Sequence, residues 1–540
     1  MNNNEIASHY NYIVVGGGTS GCIMASRLSE NEHKSVLLLE SGPRSNAADS
    51  NSPLNDASRL VLENYNWQYI ANVHGTDQYS QFLENKISST PTLDRRKPFS
   101  YRLGKVIGGS SAINGAVALR ALPDDFSNWT SMGCSGWTWQ DAIPWYCKME
   151  NDCDIKASKL HGQSGPLLLH RPKPQDILPI EKAFADVCIN KGTPWVEDLN
   201  NGVAHAVGVV PSNVLQNAER FDFYRAYLMP ATKRFNLKIR TECTVNRVIF
   251  FHGCAIGVEI EDNGKQHVIK ADRVILCAGA IGSAILLQRS GVGDSRLLNR
   301  LNIPVILDNP AIGNNLSDHA TVVMWALPKP NNSKVKTPWR QTAARLSSGF
   351  DSRVDVLLGL MNNVASSTVP GFSNRIEYPA LVGASVMLMR PIAKGRVFIR
   401  SSDYTALPTI YLPLSHNDED IQRLTGGVRK MWQIINSKEI SRYIEGIQFW
   451  RNSMIENDKV MHSAIRNLIS PGWHPSGTIR MGNPSDVTTA ADEKGNVHGL
   501  ENLTVADASL FPCIPSMPTN LTTAMIAERI AAYLMENNND

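Results

Sequence analysis

The stretch from Tyr12 to Glu40 constrains this chain more than any other, because it sets strand, turn, helix, strand and acid in one fixed order. Residues 12–15 (YIVV) are a short, uncharged run of β-branched and aromatic residues, the composition of a parallel strand buried on both faces. The run stops in glycine. Gly16, Gly18 and Gly21 fit G-x-G-x-x-G, and residues 19–28 continue as a helix with Ala25 and Leu28 turned inward. A second apolar strand, residues 36–39 (VLLL), ends in Glu40, 19 residues beyond Gly21. Glycines at these positions permit a tight turn and close backbone approach, so a pyrophosphate can sit on the N–H groups that open the helix. A carboxylate at position 40 accepts hydrogen bonds from both ribose hydroxyls and repels a 2′-phosphate. Together these features predict a dinucleotide site and leave FAD and NAD equally open.

The 540 residues exceed what one core accommodates, so two or more lobes are expected. With 42% hydrophobic and 19% charged residues the chain has the composition of a globular protein, which excludes wholesale disorder. Its 53 basic and 50 acidic residues nearly balance at +3, and no basic run marks a phosphate-backbone footprint, so nucleic acid is not an expected partner. No apolar stretch reaches the roughly 18 residues of a membrane span. Residues 1–8 (MNNNEIAS) offer neither a charged nor an apolar leader region, so a cytoplasmic location is expected. The nine cysteines are scattered and form no Cys-x-x-Cys pair, which predicts reduced thiols packed as small apolar residues, with no metal site.

A second glycine-rich segment, residues 102–117 (RLGKVIGGSSAINGAV), is too rich in glycine for regular structure and too apolar for an exposed linker. Something must lie against this backbone. Gly108, Gly109, Ser110 and Asn114 can bring donors to the far part of a cofactor longer than one nucleotide.

Residues 104–114 (GKVIGGSSAIN) resemble the first signature of the glucose–methanol–choline (GMC) oxidoreductases, flavin enzymes that oxidise alcohols. GAIGSAILLQRSGVG at 279–293 is similar to the second, with Ala284 where the family usually has Pro or Ser. NLSDH at 315–319, WHPSGTIRMG at 473–482 and the block at 505–531 match further family blocks in order, so the resemblance covers nearly the whole chain. It implies an α/β plus α+β fold, in which a discontinuous Rossmann-like FAD-binding domain carries an antiparallel-sheet substrate domain. The expected division is 8–160, 236–320 and 471–535 for the FAD domain, and 161–235 and 321–470 for the substrate domain. The residues agree with such a division. Residues 273–278 form another apolar strand running into Gly279 and a helix to Gln288, and residues 503–506 form a short strand ending in Asp507. The alternation from Arg396 to Arg400 suits an antiparallel sheet, expected in the substrate domain. The polar ends, residues 2–4 and 536–540, are expected to fray.

Alcohol oxidation needs a hydride acceptor, a group that takes the hydroxyl proton and a donor to the developing alkoxide. A neutral imidazole is the best-matched proton acceptor at ordinary pH. His474, between Trp473 and a Pro-Ser-Gly turn, lies where the chain is irregular and an imidazole can project into a cavity. The resemblance makes it the active-site base and makes Asn520 its partner, a neutral amide donor at the head of a helix over residues 521–534. A plain helix N-cap is the alternative role for Asn520. His319 is expected to tie its loop to the FAD domain. Ile113 occupies the position of the histidine through which some members bind flavin covalently, so FAD is expected to be noncovalent.

For the cofactor the resemblance implies Gly16, Gly18, Thr19, Ser20, Gly21 and Glu40 on the adenosine and pyrophosphate side. It places Trp67, Val106, Gly109, Ser110, Asn114, Gly115 and Val117 toward the ribityl chain and ring, with Val245 at the adenine and Ala278, Asp507, Ala508, Asn520 and Thr522 completing the set. The implied reaction oxidises a small primary alcohol to the aldehyde by proton loss to His474 and hydride transfer to flavin N5, with O2 or another electron acceptor. The alternative is a hydroxynitrile-lyase-type reaction without redox on the same fold. Lyases of that kind carry a histidine where this chain has Asn520. Ser385, Met387 and Met389 alternate and are candidates for the pocket wall, with core packing an equally good account.

Overall fold

The dinucleotide segment folds as strand His9–Val15, helix Thr19–Leu28 and strand Val36–Leu39, the last buried at every residue. The computed structural model describes residues 7–45, 52–58, 63–84, 86, 99–156, 158–215, 218–262, 265–330, 332, 339–369, 371–372 and 378–536. Of the ends expected to fray, 2–4 and 537–540 lie outside them, whereas Glu536 is the last residue of helix Asn520–Glu536.

His9–Val15 pairs in parallel with Val36–Leu39 on one side and with Lys265–Leu276 on the other, placing Val15 opposite both Leu39 and Leu276. Ile13, Val14 and Val15 point alternately to its two faces and all three are buried, which explains the unbroken apolar sequence. Leu237–Arg240 extends the sheet beyond Val36–Leu39, and Leu503–Val505 pairs with the end of Lys265–Leu276. An antiparallel ribbon, Val245–Phe251 and Cys254–Asp262, completes seven strands. The chain therefore returns to this sheet twice after leaving it. Val15, Leu39, Leu276 and Val505 end at one edge, the place where open α/β sheets bind ligands.

A second sheet has eight strands, among them Ala320–Pro328, Ala380–Leu388, Val356–Ala365, Thr342–Leu346 and Ala206–Val209 in that spatial order, all antiparallel to their neighbours in that run. This is the antiparallel sheet that the resemblance implies. Arg396–Phe398 does not join it. That strand pairs with Thr409–Tyr411, which continues through Asn66–Asn72 to Phe99–Gly104 in a separate four-stranded sheet. The cause is a buried amide. Gln288, on helix Gly279–Arg289, donates to the Val397 carbonyl (3.1 Å) and accepts from Ile399 N–H (3.0 Å), which holds this strand against that helix.

Candidate active site

The strand ends at Val15, Leu39, Leu276 and Val505 open onto one cavity of about 1670 Å³, which extends to Ser385 and Met387 on the eight-stranded sheet. At the near end two glycine segments form a single wall. Gly16 has φ +101°, and a Cβ there would lie 2.6 Å from the Cys277 carbonyl oxygen. Gly109 has φ +55°, and its Cβ would lie 2.6 Å from Gly18 Cα, while Gly108 N–H donates to the Gly17 carbonyl at 2.8 Å. Side chains at these positions would fill the space that backbone contact occupies. Gly21 does not line the cavity. A Cβ there would lie 1.8 Å from the Gly16 carbonyl oxygen, so its absence lets helix and strand touch.

The helix Thr19–Leu28 begins at Gly18 with no side-chain cap, and the buried Ser20 hydroxyl has no partner. An elongated anion such as a pyrophosphate satisfies both requirements, so the donor set fits FAD. Glu40 is buried. Its two oxygens accept from Gly17 N–H and Gly42 N–H, each at 2.7 Å, and each keeps a lone pair for a hydroxyl. Trp67, Ser110, Asn114, Gly115, Val117, Val245, Ala278 and Ala508 also line the cavity.

Three further expected contacts change. Val106 packs with Leu54, Ala112 and Ile113 behind the wall, outside the cavity lining. Thr522 turns its hydroxyl to Tyr146 (2.9 Å), and Thr523 lines the cavity in its place. Asp507 lines the cavity, but its carboxylate already accepts from Gly279 N–H, Ser283 Oγ, Ser509 N–H and Ser509 Oγ at 2.6–2.9 Å. All four of its lone pairs are used within the protein, so it joins two loops.

Asn520 opens helix Asn520–Glu536 and lines the cavity. Its Oδ1 accepts from the Thr19 hydroxyl at 2.8 Å, so its side chain is not a cap on its own helix. Its Nδ2 is buried without a partner, a donor available to the cavity. Roughly two turns further along both helices, Arg27 makes paired hydrogen bonds of 2.8 and 3.0 Å to the carboxylate of Glu528, which is fully buried. The two helices thus run side by side with both N-termini at the cavity.

His474 and His319 are joined Nδ1 to Nδ1 at 2.9 Å, across 155 positions of sequence. His319 Nε2 lies 2.9 Å from the Pro515 carbonyl oxygen. A carbonyl only accepts, so Nε2 of His319 carries the proton and its Nδ1 accepts. His474 must then donate from Nδ1, which leaves Nε2 of His474 with its lone pair. Both rings are neutral: burial pushes His319 down to about 4, and burial, with His319 and Arg340 nearby, pushes His474 well below the ordinary imidazole range. Asp318 holds the backbone below this pair. Its Oδ1 accepts from Gly472 N–H (3.1 Å) and His474 N–H (2.9 Å), its Oδ2 accepts from the Tyr101 hydroxyl, and burial pushes its carboxyl up to about 7. In place of the expected tie to the FAD domain, His319 contacts His474 itself. The NLSDH block signals that His319 belongs to the family pattern, but the contact exists only in the folded chain.

Met389 leaves the cavity and packs with Leu357 and Met517. Away from the cavity, Glu150, Asp152 and His161 cluster closely enough to hold a metal ion. Both His161 nitrogens face carboxylates, Nδ1 at 2.9 Å from Glu150 and 3.0 Å from Asp152, and Nε2 at 2.9 Å from Asp198. Both nitrogens donate, so the ring is an imidazolium with no lone pair for a metal. Among the described residues no helix is long and apolar enough to cross a membrane.

Two family models described as GMC oxidoreductase match the chain, the N-terminal one over residues 10–321 and the C-terminal one over 391–527. An oxygen-dependent choline dehydrogenase of Cronobacter sakazakii is 32% identical, covering 97% of this chain and 94% of its own length. A 5-(hydroxymethyl)furfural oxidase of Methylovorus is 29% identical over 97% of this chain and 98% of its own. Among solved structures, pyridoxine 4-oxidase from Mesorbium loti superposes with a TM-score of 0.85 at 23% identity, covering 98% and 99% of the two chains. At 23% identity that likeness speaks for the fold.

Proposed function

The chain belongs to the GMC oxidoreductases, FAD-dependent enzymes acting on CH–OH groups, and on that premise we propose that it oxidises a small primary alcohol to the aldehyde with His474 as base. The observation that carries this reading is the ordered pair of imidazoles, which fixes the His474 tautomer and leaves Nε2 as the proton acceptor. Asn520 Nδ2 supplies the neutral donor for the oxygen that loses its proton. Relatives named for choline and for 5-(hydroxymethyl)furfural support an alcohol as substrate.

Gly16, Gly18, Thr19 and Ser20 would hold the pyrophosphate, Glu40 the ribose, Val245 the adenine, and Gly109, Ser110 and Asn114 the ring side. When bound, FAD supplies the acceptor for the hydride that leaves the alcohol carbon. Ile113 has no nucleophilic atom, so the cofactor is held without a covalent bond. Thr19 anchors Asn520 and also belongs to the cofactor loop, which couples cofactor binding to the placement of the catalytic amide.

Anaerobic mixing with a panel of primary alcohols tests the reading. A substrate is expected to bleach the flavin band near about 450 nm, a change that a non-redox lyase does not make. Failure of every alcohol to bleach it, with turnover of a cyanohydrin instead, overturns the proposal.

A further inference from the structure

The cavity that His474 lines also contains a cation that alcohol oxidation alone does not require. Arg340 lines the cavity beside Trp339, its Cζ 5.1 Å from that ring's centroid. Its Nε donates to the Leu360 carbonyl at 3.2 Å and its Nη2 to Ser385 Oγ at 2.5 Å, while Ser385 in turn donates to the Gly359 carbonyl at 2.9 Å. The guanidinium packs against Gly359, where a Cβ would sit 3.2 Å from Nε and 3.3 Å from Cζ. Two of its five N–H donors are thereby used, and its plane is fixed. Among the described residues no carboxylate lies within ion-pair distance of it. Glu181, the acid whose charge reaches it, is fully buried and bound to Thr342, Asn362 and the Gln341 N–H.

Arg340 and His474 line the same cavity, and the guanidinium is near enough for its charge to favour the neutral imidazole. Of the acids lining the cavity, Glu40 and Asp507 are bonded into the cofactor end, and Glu63 is exposed ahead of strand Asn66–Asn72. A quaternary ammonium group would meet an arginine where it needs a carboxylate or an aromatic cage free of cations. An oriented guanidinium with unused N–H groups has the geometry that recognises a carboxylate.

We infer that the alcohol oxidised by this chain carries a carboxylate, held by Arg340 while its hydroxyl reaches His474 Nε2 and Asn520 Nδ2. This inference rests on the alcohol-oxidation reading above and adds the substrate class.

The test uses the flavin-loaded protein and short linear primary alcohols of equal chain length ending in carboxylate, methyl or trimethylammonium. The carboxylate series is expected to give a kcat/KM about tenfold or more above the other two, the order of one charge-assisted pair. Arg340→Gln should lower the carboxylate-to-methyl ratio by about tenfold or more, mainly through KM, because the pair forms equally in ground and transition states. Arg340→Lys should restore part of the ratio through charge without the fork. As a readout without turnover, alkanoates lacking the hydroxyl should perturb the flavin spectrum of the unaltered protein more tightly than that of Arg340→Gln. If methyl or trimethylammonium alcohols bleach the flavin as well as the carboxylates, the inference fails and alcohol oxidation stands. If no alcohol of any charge bleaches it, both fail. Should Arg340→Gln not retain flavin, the substrate series on the unaltered protein decides alone.

Discussion

With His474 proposed as the base, the direction of proton flow there is set by His319, which does not itself line the cavity. The Pro515 carbonyl fixes the His319 proton, and His319 fixes the His474 proton, so Nε2 is basic in the resting protein. The neutral imidazole is the reactive form and its pKa is depressed, so the rate of anaerobic flavin reduction should rise with pH below about 6.5 and be flat at neutrality. His474→Ala should lower that rate by roughly 10²-fold or more and abolish the acid limb. Asn520→Ala removes a neutral donor, costing on the order of 3 kcal/mol of transition-state stabilisation, and should keep the limb. Retention of both rate and limb in His474→Ala would assign the base elsewhere. Ile113 gives a second check at this scale: acid precipitation should release free FAD into the supernatant, and yellow colour staying with the pellet would contradict noncovalent binding.

Between elements, the cofactor end depends on backbone meeting backbone. Gly109→Ala would bring a methyl group 2.6 Å from Gly18 Cα at a φ of +55°, and neither segment can give way without moving the helix start. The purified variant should carry much less flavin per chain, measured as the ratio of visible to protein absorbance, and full occupancy would refute the contact. This part of the molecule was legible in the sequence because its constraints are local. Strand, glycines, helix Thr19–Leu28 and strand Val36–Leu39 follow one another within 40 residues, each fixed by its neighbour's geometry. What lies across the fold was not. Arg396–Phe398 alternates like any antiparallel strand, and contacts distant in sequence, the Gln288 amide and the Gly313 carbonyl among them, hold it away from the eight-stranded sheet. Thr522 and Thr523 are adjacent hydroxyls on one helix, and the position of Tyr146 determines which of them faces the cavity. Arg340 has no local signal, since its partners Leu360 and Ser385 come from other strands.

At the scale of the whole molecule, segments far apart in sequence meet at a buried knot of charge around the two-stranded sheet of Glu150–Asp152 and Leu167–Leu169. Arg120, just beyond the second glycine segment, pairs with Glu150; Arg171 pairs with Asp152 (2.8 Å) and Asp198 (2.9 Å); His161 bridges all three acids. Asn200 binds the same junction, accepting from Arg120 N–H and donating to the Ala118 carbonyl. Three carboxylates face two guanidiniums, so the knot is neutral only when His161 is charged. Hydrogen bonds to Asp152, Asp198 and Glu150 accordingly outweigh burial and push its pKa up to about 10. A group whose folded pKa is raised stabilises the fold fully below its unfolded value, about 6.5 for histidine, and loses that contribution as pH rises toward the folded value. The acids set the lower bound, because Asp152 and Asp198 are both depressed by their partners and lose their contribution as pH falls through the carboxylate range. His161→Gln keeps a hydrogen-bonding side chain but not the charge, leaving a buried carboxylate uncompensated, a loss of about 3 kcal/mol. The difference in Tm between the unaltered protein and His161→Gln should therefore be largest near pH 6 and shrink steadily toward pH 10. Titrations elsewhere in the chain are common to both proteins and cancel in that difference. A difference that does not change with pH would mean that His161 is neutral in the folded state and that the junction is held by its arginines alone.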